Sequence, residues 1–318
     1  MRFGTMVPQG WKLELTGVPE DEQWERIRSA AHSLEETGWD SLWVYDHFHT
    51  HPIVAHESVY DAWTLMAALA VETSTIRIGQ MCTCVLYRQP SLLAKLATSV
   101  DAISGGRLEV AIGAGWSHKE FAAYGYDYPR DGVRLDMLEE TAQILKEMWT
   151  TDEAHFEGEH YSVAGAITRP RSLQKPHPPL WICGPGEKRT LKIVAKYGDY
   201  SNFGKSVEQF EQKSEILAGH CEDVGRDFNE IRRTVHIQSI VGSDRADLDR
   251  KLEIAGRRRG CSPEEFEAKN LVGTPAQVAE TIAGYADAGC YEIIPFFYDM
   301  GEADSLEMFN AEVMSQFR

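Results

Sequence analysis

Arg2-Phe-Gly-Thr-Met-Val7 runs straight into Pro8-Gln-Gly10, and this opening separates two architectures. The run is short, rich in strand formers and stopped by proline, so it reads as a β-strand. A doubly wound dinucleotide-binding sheet would follow such a strand with a glycine fingerprint, and none is present. Seven further runs of the same kind follow, at residues 41–45, 76–80, 108–112, 179–183, 200–203, 234–241 and 292–296. Between them lie helical stripes: Trp24, Ile27, Ala31 and Leu34, then Leu92, Leu96 and Val100, then Leu135, Leu138, Ala142 and Leu145. Each recurs at three and four residues, the period of an apolar helix face. Eight strands alternating with longer helical segments predict an α/β fold, a (β/α)8 TIM barrel forming one domain over residues 1–318. Two insertions are expected. Residues 150–168, around Phe156-Glu-Gly-Glu-His-Tyr161, read as a short hairpin, and residues 257–272 as three arginines followed by a short helix. Ser262-Pro-Glu-Glu265 and Thr274-Pro-Ala-Gln277 have capping-box spacing with proline at the first helical position.

The 318 residues carry 32 Lys plus Arg against 49 Asp plus Glu, a formal charge of −17. Such a chain repels phosphate backbones and anionic lipid, so neither nucleic acid nor a membrane is an expected partner. A small-molecule substrate and a homodimer are the default expectations. No run approaches the ~18 apolar residues of a membrane helix, and the first eight residues lack the pattern of a signal peptide. Six cysteines without CxxC spacing read as reduced thiols of a cytoplasmic protein.

In a barrel of this kind chemistry sits at the C-terminal ends of the strands. The second strand ends in Tyr45-Asp-His-Phe-His-Thr-His51, the third in Gln80-Met-Cys-Thr-Cys84, and the fourth in Gly113-Ala-Gly-Trp116. The fifth ends in Cys183-Gly-Pro-Gly186, followed by Glu187-Lys188-Arg189-Thr190. Alternating His47, His49 and His51 would suit a metal, but a barrel hydrolase needs His, Asp or a bridging Lys at later strand ends, where Trp116, Cys183 and Asn202 stand instead. No metal is expected. The turn Gly184-Pro-Gly186 leading into a helix directs free backbone N–H groups at an anion, with Lys188, Arg189, Lys192 and Lys196 close by. Gly113, Ala114 and Gly115 leave room for a flat ring to approach the backbone.

At these residues the chain resembles the luciferase-like superfamily of flavin and deazaflavin oxidoreductases, in the branch that uses coenzyme F420. The matching blocks are Ser41-Leu-Trp-Val-Tyr-Asp-His-Phe48, Arg77-Ile-Gly-Gln80, Tyr87-Arg-Gln-Pro90 and Leu96-Ala-Thr-Ser-Val-Asp-Ala-Ile-Ser-Gly-Gly-Arg107. They continue with Gly113-Ala-Gly-Trp116, Glu120, Tyr124-Gly125, Pro179-Leu-Trp-Ile-Cys-Gly-Pro-Gly-Glu-Lys188 and Val272-Gly-Thr-Pro275. The resemblance implies a bacterial luciferase-like barrel with the deazaflavin at its mouth and the anionic tail passing the strand-five helix. It implies that Asp46 contacts the cofactor and that His47 lies beside the reacting carbon as proton donor. Met81-Cys82 falls where relatives carry a non-proline cis peptide behind the ring. Cys84, Gly115, Gly186, Arg189 and Thr190 fall at cofactor-contacting positions, within a set that extends to Met81, Cys82, Gly113, Ala114, Gly184, Glu187 and Lys188. The sugar-phosphate dehydrogenases of the branch carry a Glu base where Trp116 stands and a Trp where His51 stands, so a sugar phosphate is not the expected substrate.

The reaction this implies is hydride transfer between coenzyme F420 and a small organic molecule, with the protein supplying orientation and electrostatics. Phe48, His51, Trp116 and Phe297 are the expected substrate pocket, suited to an apolar or conjugated acceptor. The alternatives are an FMN-dependent luciferase-like monooxygenase, a noncatalytic cofactor-binding protein and, third, a metal-dependent hydrolase.

Overall fold

Alternation of side chains along the strands sorts the apolar residues into two layers. The computed structural model describes residues 1–318. Its strands are β1 (Arg2–Met6), β2 (Ser41–Val44), β3 (Arg77–Gln80), β4 (Thr83–Cys84), β5 (Leu108–Gly113) and β6 (Ala154–Glu157), then β7 (Ser162–Ala166), β8 (Leu180–Cys183), β9 (Tyr200–Asn202), β10 (Arg232–Val241), β11 (Leu271–Gly273) and β12 (Glu292–Phe297). Eight of them close a ring in the order β1-β2-β3-β5-β8-β9-β10-β12 and back to β1. All its pairings are parallel. These eight coincide with the sequence-predicted runs to within two residues at each end, and the closed ring is the (β/α)8 barrel expected.

One parity of each strand faces outward. Phe3, Leu42, Val44, Ile78, Val110, Ile112, Leu180, Ile182 and Ile293 belong to a buried layer with the surrounding helices. The other parity fills the barrel, where Trp43 meets Trp181 at 4.8 Å and Trp181 stacks on Tyr200 at 4.4 Å. Large inward aromatics leave no open channel.

The helices follow their stripes with one rotation. Helix Glu20–Glu36 buries Ile27, Ala31 and Leu34, and helix Asp131–Thr150 buries Leu138, Ala142 and Leu145. Helix Pro90–Ile103 instead buries Leu93, Ala94, Ala97 and Val100, leaving Leu92 exposed. Small alanines let this helix lie close to the sheet, and close approach outweighs the larger Leu92.

β6 and β7 form the antiparallel hairpin expected before the fifth barrel strand. The 257–272 segment holds the short helix expected after the three arginines, with a strand besides. Arg257–Arg259 are the last turn of helix Arg245–Arg259, which ends at Gly260 in the left-handed region. After the short helix Pro263–Glu267, β11 pairs with the outer end of β10, Ser239 opposite Leu271. Three residues flanked by caps are too few for a strand signature to stand out. Ser262 and Thr274 are the N-caps expected; only at Thr274 does the third residue reciprocate, Gln277 Oε1 accepting from Thr274 N at 2.9 Å. No helix is long and apolar enough to cross a membrane.

Candidate active site

The mouth is organised first by Gln9, just past β1. Its Nε2 donates to the carbonyls of Tyr45 and Tyr60, both at 2.7 Å, while its Oε1 accepts from Tyr45 N. Glu14 accepts the amides of Gln9 at 2.9 Å and Lys12 at 2.7 Å. This knot folds the loop after β1 over the end of β2 and lays the Trp11 ring flat on His47, with centroids 4.1 Å apart and planes within 1°. Trp116 meets the same imidazole edge-on at 5.5 Å.

His47 Nδ1 lies 2.6 Å from Glu120 Oε2. Glu120, on the short helix His118–Tyr124, is buried and also accepts from Phe48 N at 2.5 Å, His49 N at 3.3 Å and the Tyr87 hydroxyl at 3.2 Å. Burial alone would raise its pKa, but the hydrogen bonds and charge of His47 and the two amides outweigh it and hold the carboxyl below its ordinary range. An ionised Glu120 cannot donate, so Nδ1 carries the hydrogen and His47 Nε2, which has no hydrogen-bond partner, is free to exchange a proton. Glu120 has no role that its sequence neighbourhood reveals. No local pattern joins residues 73 apart.

The floor comes from β3 to β5. Met81-Cys82 is a cis peptide, as the resemblance implied. A Cβ on Gly113 would lie 2.6 Å from Cys82 Sγ, and one on Gly115 would lie 2.7 Å from Cys84 Sγ, so both glycines are required for a flat surface here. Burial pushes the Cys84 thiol up, so it lines the floor uncharged. Asp46, which lines the cavity, also ties its floor together: Oδ2 accepts from Cys84 N at 2.9 Å and Arg88 binds both oxygens at 2.7 and 3.0 Å. Burial raises its pKa against the pull of Arg88. Asp46 therefore fastens the floor, and Arg88 is a positioning residue that sequence reading did not single out.

These groups enclose a cavity of ≈ 250 Å³ lined by Trp11, Lys12, Tyr45, Asp46, His47, Met81, Cys82, Cys84, Gly113, Gly115, Trp116, His236 and Gln238, among others. Burial, with Lys12 and Arg259 nearby, pushes His51 down to about 4. Burial pushes His236 down to about 4 as well. His236 Nδ1 donates to the Ile294 carbonyl at 2.8 Å, so its Nε2 accepts from the Tyr45 hydroxyl at 2.9 Å. Trp116 is 54% exposed and stands at the rim, with His51 edge-on at 4.9 Å. His47, His49 and His51 turn to different neighbours, Glu120, Tyr124 and Trp116, and no group of three potential ligands converges on one point.

Two predicted pocket residues and one predicted cofactor contact lie elsewhere. Phe297 packs outward on Trp39 and Phe309, and its neighbour Phe296 is the inward residue, 6.0 Å from Tyr45; an error of one residue in a strand exchanges the two faces. Phe48 turns into a cluster with Tyr87 and Tyr124, and Ala114 packs against the outer layer. The strand-five turn borders the cavity without lining it: Cys183 O lies 3.7 Å from where a Gly113 Cβ would stand. Gly184, Gly186, Glu187, Lys188, Arg189 and Thr190 lie just beyond, at the start of helix Thr190–Tyr197. Its positive field is smaller than the residue count implied. Arg189 pairs with Asp136 at 2.6 Å, Lys196 with Glu139 at 2.7 Å, and Glu187 with Lys213 at 2.5 Å.

The model of the luciferase-like monooxygenase family matches residues 1–261. The pyrimidine monooxygenase RutA of Stutzerimonas stutzeri is 33% identical over 174 residues, covering 52% of this chain and 47% of that protein, so the chain matches about half of that relative's length. The F420-dependent glucose-6-phosphate dehydrogenase of Kineococcus radiotolerans is 25% identical over 323 residues, covering 92% of this chain and 93% of that one. Among solved structures, an F420-dependent secondary alcohol dehydrogenase superposes with a TM-score of 0.79 at 20% identity, over 100% of this chain and 99% of that one. A family match across this much of the sequence, on a closed barrel of the same fold, establishes that the chain belongs to the luciferase-like family of oxidoreductases and monooxygenases.

Proposed function

We propose that this protein is a coenzyme F420-dependent oxidoreductase that transfers a hydride between the deazaflavin and a small organic substrate. The observation that carries the reading is the pairing of a flat floor, in which Gly113 and Gly115 let the Cys82 and Cys84 thiols sit against the backbone, with an imidazole whose one free nitrogen is His47 Nε2. The two glycines let the Cys82 and Cys84 thiols lie close against the backbone, so the floor stays level enough for a planar ring. When bound, the deazaflavin supplies a hydride-accepting and hydride-donating carbon with little oxygen chemistry. Met81, Cys82 and Cys84 would support the ring, and Asp46 would hold the floor level through Cys84 N and Arg88. His47 would take the substrate's proton at Nε2 in one direction and return it in the other. Glu120 would keep the imidazole oriented and stabilise its charged form. Support for this cofactor comes from the dehydrogenase relative that spans nearly the whole chain. The higher identity of the pyrimidine monooxygenase over its shorter stretch favours a second reading, an FMN-dependent monooxygenase. Titration of the purified protein with coenzyme F420 and with FMN, followed by absorbance, tests both. Tighter binding of the deazaflavin and its stopped-flow reoxidation by an organic acceptor without oxygen uptake are expected; tighter FMN binding with oxygen consumption would reverse the assignment.

A further inference from the structure

Lys12 is 4% exposed and its ammonium lies 3.4 Å from the centroid of the Trp11 ring, with no hydrogen bond and no carboxylate partner. Both oxygens of its near neighbour Glu14 are taken by backbone amides. A buried, unpaired cation is costly and is rarely kept without a counter-charge. Arg259 repeats the pattern. Of three consecutive arginines, Arg257 and Arg258 bind Glu302, whereas Arg259 makes no ion pair and lines a second space of ≈ 370 Å³. The two spaces are continuous in their lining, sharing His236 and Gln238. Acidic groups are spoken for on both sides: Asp46 by Arg88 in the inner space, Glu265 by Lys269 in the outer. Burial and the charge of Arg259, opposed by the weaker pull of Glu14, hold Lys12 well below its ordinary value, and a bound anion is the partner that would favour its charged form.

We propose that the substrate is an organic anion whose carboxylate-like group docks between Lys12 and Arg259, with its apolar body against Trp11, His51 and Trp116. This rests on the oxidoreductase reading for the identity of the bound molecule as substrate, while the anion site itself is defined by the two cations. It also accounts for a local excess of unpaired positive charge in a chain of net charge −17. The anionic tail of the coenzyme has the same chemistry, so the test must separate the two sources.

The experiment is calorimetric titration of the full-length protein with benzoate and with its neutral isostere benzamide, alone and with the protein saturated by coenzyme F420. Wild type, Lys12→Met and Arg259→Gln are compared, with melting temperatures to check folding. Benzoate is expected to bind wild type at least about tenfold more tightly than either variant, with benzamide indifferent to both, and saturation with the coenzyme should leave benzoate binding intact. The inference is overturned by failure of wild type to bind benzoate, by equal benzoate affinity in wild type and variants, or by competition from the coenzyme, which would give the site to its tail. Should Lys12→Met fail to fold, Arg259→Gln at the helix end decides alone. Failure of the coenzyme to bind would sink the cofactor reading and leave the benzoate contrast standing.

Discussion

His47 is held on three sides: Trp11 flat against one face, Trp116 at an edge, and Glu120 on Nδ1 at 2.6 Å. That arrangement fixes both the tautomer and the direction of the free nitrogen, which is what a proton-transferring imidazole needs. His47→Asn should lower kcat by about 10²- to 10⁴-fold, the range for losing a positioned acid or base. Glu120→Gln keeps an acceptor for Nδ1 but removes the charge that stabilises the imidazolium, so a loss of about 10²-fold is expected. In both variants the dissociation constant of the coenzyme, read by fluorescence titration, should stay within about twofold; a parallel loss of coenzyme binding would show that the pair is structural instead. At this scale the sequence was half legible. Strand ends pointed to the segment of three histidines and the resemblance to His47 within it, while the floor glycines could be read because small residues allow close approach. Glu120, Gln9, Trp11 and Arg88 act across gaps of tens of residues, and no spacing rule reaches that far. Phe297 was misplaced for the opposite reason: the strand was right, but its parity was one residue out.

Among the elements, the third to fifth strands make the floor as a unit, because β4 pairs only with the last residues of β5, Cys84 opposite Gly113. The two thiols and the two glycines therefore interlock, and Gly113→Ala should drive its new methyl into Cys82 Sγ. Coenzyme affinity should fall by about tenfold or more, the scale of overpacking by one methyl group in a tight site. Cys82→Ala in the same chain should restore most of it, since removing the sulfur opens the space the methyl requires. A double variant no better than the single one would mean that the ring does not rest on this floor. The elements themselves were largely readable, because barrel strands and helices carry strong periods and the Thr150–Thr168 hairpin sits between clear turns. β11 was not, since three residues beside a capped helix leave no period to detect. The stripe of helix Pro90–Ile103 was rotated because alanines, silent in a count of large apolar residues, form its close-packed face.

For the molecule as a whole, the barrel is closed at its base by charges drawn from four separate strands: Arg2, Arg77, Glu109 and Glu292. Arg77 binds Glu109, Ser41 donates to Glu292, and Arg2 lies 3.7 and 3.6 Å from the two carboxylates. None of this was legible in the sequence, because it depends on which residues of distant strands share one level inside the ring. Burial pushes Glu292 up to about 7 from an ordinary 4.5, with Glu109 adding to the rise and Arg2 opposing it. A carboxyl with a raised folded-state pKa contributes stability fully below about 4.5, and that contribution is lost as pH climbs through about 7. His51 and His236, lowered to about 4, act in the opposite sense, since the unfolded chain binds their protons first and stability falls as pH drops below 6.5. The wild-type profile alone would therefore mix opposing slopes. Glu292→Gln isolates one of them: it keeps an amide for Ser41 and cannot ionise, so the variant should gain on wild type steadily between pH 4.5 and 7 and then hold its advantage. The gain should be a few kcal/mol at most, at about 1.4 kcal/mol per pH unit. Urea midpoints of the two proteins measured across that window give the difference directly. A gap that does not change with pH would place the Glu292 proton elsewhere and leave the base of the barrel fully ionised.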